Sequence, residues 1–406
     1  MIKCFLVNRS EQFVHDLATK AFLSLWTYPN PTGKDGSKEL CDVLVVCRPD
    51  IVIFSVKEIE LQIGGDAETA VNRWKRRAVD DSIRQIYGAE RRVKTTDRVA
   101  ASDGTRGVDL GPLDLRRIHR VAVAIGARGS VPLESSDHGK GFVHVFDERT
   151  LFLLLNELDT ITDFVEYLAA RESLLSAKPR LLGTEADLLA SFFAGQHSFA
   201  KLLEEDFHLR VIVGSWDNLV NLPQFEAKKK ADQSSYVWDW LISKVHEDFI
   251  SNEMEFGGDL DSVDQVTRIM AREPRLQRRV LGQGFHSFME DATKKSRLAF
   301  GDSAVGYVFF KQKHAEPREK RVGELHARCL VARDFMDQRG IRGDTVVGIA
   351  TEFPEEGSGF SLDVMLFNAP EWGHEQRAFA AETRNKLDIL AKPVIQHYSG
   401  DEFPSE

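Results

Sequence analysis

Cysteine is scarce. Cys4, Cys41, Cys47 and Cys329 are the only four in 406 residues, and none sits in a C-x-x-C pair. This excludes an encoded zinc knuckle or dithiol redox centre and predicts reduced, buried thiols. No run approaches the roughly 20 apolar residues of a membrane span. The apolar stretch within "MIKCFLVNRSEQF" is too short for a signal peptide, so the expected location is the cytoplasm, with no membrane partner. A G-x-x-x-x-G-K-[ST] phosphate loop, a Rossmann fingerprint and a nucleophile elbow are all missing, and "TGKDG" at 32–36 lacks the hydroxyl residue such a loop needs. The 12 histidines include no H-E-x-x-H pair, and there is no internal repeat or low-complexity tract.

What is present is ordinary globular composition, 42% hydrophobic and 29% charged, in a chain long enough for two or three domains. The net charge of −10 excludes a protein that coats nucleic acid over its whole surface, while leaving room for a local basic groove. Residues 10–26 have apolar positions at helical spacing, with Ser10 as N-cap. The proline- and glycine-rich stretch 28–38 reads as a loop. Two nearly continuous apolar strands lie in 38–60, expected to be covered on both faces. A long helix runs from Asp66 to about Val93, with Ala67, Ala70, Val71, Trp74, Ala78, Ile83 and Ile86 as its buried stripe. After a polar excursion over 95–115 come strands at 117–127 and 141–146. Residues 147–175 then form two helices, the second capped by Asp159.

These elements predict an α/β domain over 1–176, with a boundary at "SAKPRLLGTE". A mostly helical region follows over 177–300, then a small α+β domain over 301–406. In the last, strands are expected near 304–311, 345–352 and 360–367, with helices near 318–338 and 374–391. Glu352 and Asp363 are expected to face each other across a hairpin there, but no x-Lys follows them as a second acidic site would require.

The stretch "KELCDVLVVCRPDIVIFSVKEIE" (38–60) carries chemistry at its ends. Alternation puts Ser55 and Lys57 on one face, and Asp42, Leu44 and Val46 on one face of the preceding strand. With Pro49 and Asp50 as a two-residue turn, Asp42 falls directly opposite Lys57. A one-residue slip would separate them. A carboxylate and an ammonium group at one sheet edge suit metal-assisted phosphodiester hydrolysis. The carboxylate holds a divalent cation and the lysine steadies nucleophile or phosphate.

In its order of helix, hairpin, helix and strand, the region from about residue 5 to 127 resembles the PD-(D/E)XK nuclease superfamily, whose fold is restriction-endonuclease-like. The matching residues are Asp42 for the first acid and Ser55-Val56-Lys57 for the acid-x-lysine element. Glu11 matches the acid of the first helix and Gln85 the glutamine of the second. The resemblance implies a Mg²⁺- or Mn²⁺-dependent nuclease with Asp42, Glu39 and Glu11 as metal ligands and Asp42, Ser55, Lys57 and Gln85 as catalytic residues. It implies a nucleic-acid substrate, DNA in preference to RNA, and a role in bacterial defence or restriction. A homo-oligomer or protein partner would engage the C-terminal part. Ser55 departs from the pattern, since a hydroxyl is a poor Mg²⁺ ligand, and Glu39 would supply the missing oxygen. The alternative is a degenerate nuclease-fold module that binds nucleic acid or protein without cutting.

The long helix adds a basic surface, Arg73, Lys75, Arg76, Arg77 and Arg84, with Arg91 and Arg92 beyond. It suits a phosphate-tracking face on which Trp74 or Tyr87 would stack bases. The bland reading is a solvated helix face with i,i+4 pairs.

Overall fold

Asn8 caps the first helix, α1 (Arg9–Phe22). Its side chain accepts from the Glu11 amide while the Glu11 carboxylate returns to the Asn8 amide, a capping box that leaves Ser10 inside the first turn. The computed structural model describes residues 8–33, 39–62, 65–100, 107–177, 180–203, 209–251, 260–301, 304–313, 316–353, 361–389 and 400–404. Cys4, residues 34–36 of "TGKDG" and positions 390–391 of the last expected helix lie outside them. The described chain forms two compact units, Met1–Leu222 and Pro223–Glu406, both of mixed α/β structure.

In the first unit α1 is followed by β1 (Thr27–Pro29), β2 (Thr32–Gly33), β3 (Val43–Cys47) and β4 (Asp50–Glu58). Then come α2 (Ala67–Lys75), a π-helical turn (Arg76–Asp80) and α3 (Asp81–Val93), which continue one another as the expected long helix with Asp66 as its cap. Ala67 is exposed and falls outside its buried stripe. Next are β5 (Arg98–Ala100), β6 (Gly107–Asp109), β7 (Arg117–Ile125), β8 (Ser136–Asp137) and β9 (Phe142–Phe146). The unit closes with α4 (Glu148–Glu157), α5 (Ile161–Ser176), β10 (Leu181–Leu182), α6 (Glu185–Ala194), α7 (Ala200–Leu203), β11 (Arg210–Val211) and α8 (Ser215–Val220). The cap of α5 is Thr160, whose hydroxyl accepts from the Asp163 amide, not Asp159.

The main sheet has the order β1-β3-β4-β7-β9-β8, parallel from β4 through β7 to β9 and antiparallel elsewhere. The α2–α3 helix makes the crossover that a parallel β4–β7 pair requires. Part of the stretch expected as loop is strand. β1 pairs with β3 at the sheet edge, where Pro29 is tolerated, and β2 joins β5 and β6 in a small sheet. Leu44, Val46, Ile51, Ile53, Val143 and Val145 pack beneath Ile83, Ile86, Ala89 and Val93 of α3. On the other face Phe54 stacks on Phe164 of α5 at 6.4 Å between ring centroids, and Phe22 of α1 meets the same ring at 5.3 Å. Both faces are covered, which is why β3 and β4 read as continuous apolar runs.

The second unit contains α9 (Pro223–Asp232), α10 (Tyr236–Ile250), α11 (Leu260–Ala271), α12 (Arg275–Glu290), β12 (Ser296–Phe300) and β13 (Gly306–Gln312). After these come α13 (Arg318–Gln338), β14 (Thr345–Glu352), β15 (Leu362–Asn368) and α14 (His374–Leu387). Its sheet runs β12-β13-β14-β15, with β13 and β14 parallel across the α13 crossover. Buried Lys311 donates to the carbonyls of Phe288, Met289 and Asp291 at 2.6, 3.2 and 2.8 Å, placing a cation on orphan acceptors at the end of α12. The division falls after Leu222 and not at 176 and 300. α6 packs on α4 and α8 within the first unit, and α11 and α12 pack on β15 and β12 within the second.

Candidate active site

The β3–β4 hairpin turns at Arg48-Pro49, one residue earlier than expected. Cys47 pairs with Asp50, and the register runs to Val43 opposite Phe54. Asp50 belongs to the strand because its buried carboxylate accepts from Arg117 at 2.6 Å and is paired with His119 at 2.9 Å, beside the parallel β7. Carried one step further, this register sets Asp42 against Ser55, not against Lys57. The displacement is two residues, so the face is kept, and Asp42, Ser55 and Lys57 stay on the α3 side of the sheet.

Asp42 is buried just before β3, and its carboxylate accepts a hydrogen bond from the Val56 amide of β4. This bond ties the acid across the hairpin and fixes it beside Ser55. The buried Ser55 hydroxyl donates to Gln85 Oε1 of α3 at 2.9 Å. Glu39, Asp42, Ser55, Gln85, Arg91 and Arg92 line one cavity of about 440 Å³ between the hairpin entrance and α3. Lys57 is half-buried on the outer part of β4, and its charge acts on Asp42, Glu39 and Glu11. Among the described residues it closes no ion pair with any of them, so the simple structural pair between Asp42 and Lys57 is not formed.

Burial pushes the Glu39 carboxyl up to about 7, and the charges of Asp42 and Glu11 push in the same direction. Burial also raises Asp42, against the Val56 amide and the Lys57 charge, and raises Glu11, with Asp42 as the next cause. The Asp42 charge thus disfavours ionisation of both Glu39 and Glu11, a condition that a hard cation relieves. The donor chemistry fits Mg²⁺ in a limited form. Two carboxylates, Asp42 and Glu39, border a cavity with room for water, and Mg²⁺ typically takes one or two protein carboxylates. Among the described residues no three His, Cys, Asp or Glu groups form a ready-made metal cluster. Glu11 is engaged in the capping box of α1, which leaves it a charge near the site rather than a third wall of it.

The expected basic surface lies elsewhere on the helix. Arg73, Arg76, Arg77 and Arg84 are exposed and Lys75 is half-buried, Arg84 is paired with Asp81, and none of the five lines the cavity. Stacking by Trp74 is ruled out, because the indole is buried and donates to the Ile59 carbonyl at 2.6 Å. Tyr87 donates to the Gly141 carbonyl at 2.7 Å and is likewise engaged. The arginines that reach the cavity are Arg91 and Arg92, with Arg92 Nη1 donating to the Glu39 carbonyl. A helical count from Gln85 was the available signal, since 88, 89 and 92 follow at i+3, i+4 and i+7. Cys41, Cys47 and Cys329 are buried and form no disulfide among the described residues. Compared with protein-family models, curated proteins and solved structures, the chain finds no match.

Among the described residues no helix is long and apolar enough to cross a membrane.

Proposed function

We propose that the first unit is a restriction-endonuclease-like, metal-dependent nuclease that hydrolyses phosphodiester bonds in DNA, acting inside the cell in a bacterial defence or restriction role. The observation that carries this reading is the convergence of Asp42, Glu39, Ser55 and Gln85 on one cavity, on the hairpin face that also bears Lys57. Asp42 and Glu39 would hold Mg²⁺ or Mn²⁺, and such an ion, when bound, supplies Lewis acidity toward the phosphate. Asp42 is pre-positioned by the Val56 amide, so little reorganisation is needed for it to act. Lys57, in no ion pair with a carboxylate among the described residues, places positive charge beside the reacting phosphate and orients the attacking water. Gln85 spends its carboxamide oxygen on Ser55, which leaves the NH₂ group to donate to a phosphate oxygen.

A second reading has its own support. Ser55 stands where an acid would complete the metal site, and its hydroxyl is tied to Gln85. A module that binds nucleic acid or a protein partner without cleaving would look like this. Incubation of purified protein with plasmid DNA in Mg²⁺, Mn²⁺ or EDTA separates the two. The nuclease reading expects metal-dependent degradation, lowered at least about 100-fold by Asp42→Ala and by Lys57→Ala while DNA binding persists. Binding without cleavage in either metal would favour the module.

A further inference from the structure

A glycine stands in the interior of α3 where packing does not call for one. Gly88 lines the cavity, and a Cβ built on it would meet no atom within 4 Å. Glycine is the poorest helix former after proline, so this position forgoes helix stability with no neighbour demanding it. Gly282 in α12 is the contrary case, because a Cβ there would lie 2.1 Å from the Ser234 carbonyl oxygen. Because Gly88 lines the cavity, a side chain there would take space from whatever enters it.

The neighbouring side chains indicate what that is. Arg91, three residues further along α3, is exposed and lines the same cavity, and its guanidinium has no hydrogen bond or ion pair to a described residue. Arg92 is differently employed, since it holds the Glu39 carbonyl and so secures the segment carrying both acids. Among the described residues no aromatic side chain lines the cavity, and none offers a platform for a stacked base there. A cation facing two carboxylates across an open helix surface suits a phosphate, and a missing Cβ lets a polymer's sugar–phosphate backbone come close to the helix.

We infer that the backbone of a bound nucleic-acid strand crosses α3 at Gly88, with a phosphate held by Arg91. Gly88 and Arg91 are then substrate-binding positions, and Arg92 is a positioning residue for Glu39. This rests on the nuclease reading, and the contact is independent of base sequence.

Gly88→Ala gives a test that a purely structural role would not pass. Helix propensity raises its melting temperature above wild type, while KM for DNA cleavage rises about tenfold because the methyl group displaces the strand. Arg91→Ala weakens binding of unrelated DNA sequences alike, in fluorescence anisotropy, and flattens the log Kd against log salt slope by about one. A Gly88→Ala protein that melts higher yet keeps the wild-type KM would overturn the inference, as would an Arg91→Ala protein with an unchanged salt slope. Wild-type protein that neither cleaves nor binds DNA would remove the nuclease reading and this inference with it, and that result is visible before any variant is made.

Discussion

At the end of the second unit's sheet, Glu352 and Asp363 share a cation. Arg321 donates from Nε to Asp363 and approaches Glu352 from Nη1 at 3.2 Å, while Arg318 Nε adds a bond to Asp363 at 2.8 Å. At the end of the first unit's sheet, Glu39 and Asp42 stand near Lys57, yet no ion pair closes among the described residues, and burial holds both carboxyls above their usual range. The first arrangement neutralises its charges with forked guanidinium donors and leaves no function for a metal. The second leaves charge uncompensated in a cavity, the condition that functional sites impose at a cost in stability. Asp363 lies opposite Ala350 and not opposite Glu352 as expected, and the two tail acids meet instead through arginine in a structural network.

Breaking the closed network should give the largest effect. Arg321→Ala removes a guanidinium from buried Asp363 and half-buried Glu352 and is expected to cost about 3–5 kcal/mol, measured by urea denaturation of the purified chain. A loss below about 1 kcal/mol would mean the tail pair is not the structural network described above.

The open cluster should respond in the opposite direction. Glu39 ionises in the unfolded chain near the ordinary carboxylate value but only around 7 in the folded one, so its contribution is absent at low pH, becomes destabilising as pH rises above the ordinary carboxylate value, and reaches its full size above about 7. Glu39→Gln is therefore expected to raise the melting temperature at pH 8 in EDTA and to leave it unchanged at pH 4. Mn²⁺ should raise the wild-type melting temperature at pH 8 more than that of the variant. Equal shifts at both pH values would remove the electrostatic contrast between the two regions.

The smallest effect concerns Ser55. Gln85→Ala takes away the acceptor of a buried hydroxyl and is expected to cost about 1 kcal/mol by denaturation, while lowering cleavage more than stability. If stability falls and cleavage does not, Gln85 serves only to satisfy Ser55.

Much of the architecture was legible because local signals and tertiary packing agree. The helix expected near 318–338 is α13, which follows Pro317, and the strands near 345–352 and 360–367 are β14 and β15. The errors fall where one bond to a distant residue decides the outcome. Pro-Asp is turn chemistry and places Asp50 in the turn, but Arg117 and His119, almost 70 residues away, draw it into the strand. β1 and β2 were hidden by prolines and glycine and exist through pairing with β3 and β5. Asn8 and Thr160 displaced the expected caps by one or two positions, a choice that rests on the backbone angles of single residues.

The sequence alone determined that Asp42, Ser55 and Lys57 share one face of the hairpin, because alternation has period two and survives a two-residue error in register. It also determined that an apolar hairpin, a helix and a further strand would form one covered sheet, because their hydrophobic patterns leave few other ways to bury them. Only the tertiary structure decided that Glu39 and Asp42 share a cavity with Arg91 and Arg92 rather than with the basic residues upstream, and that Lys57 stays unpaired by either acid. Those outcomes depend on how α3 is rotated over the sheet and where the hairpin turns, and both are set by contacts between residues far apart in the chain.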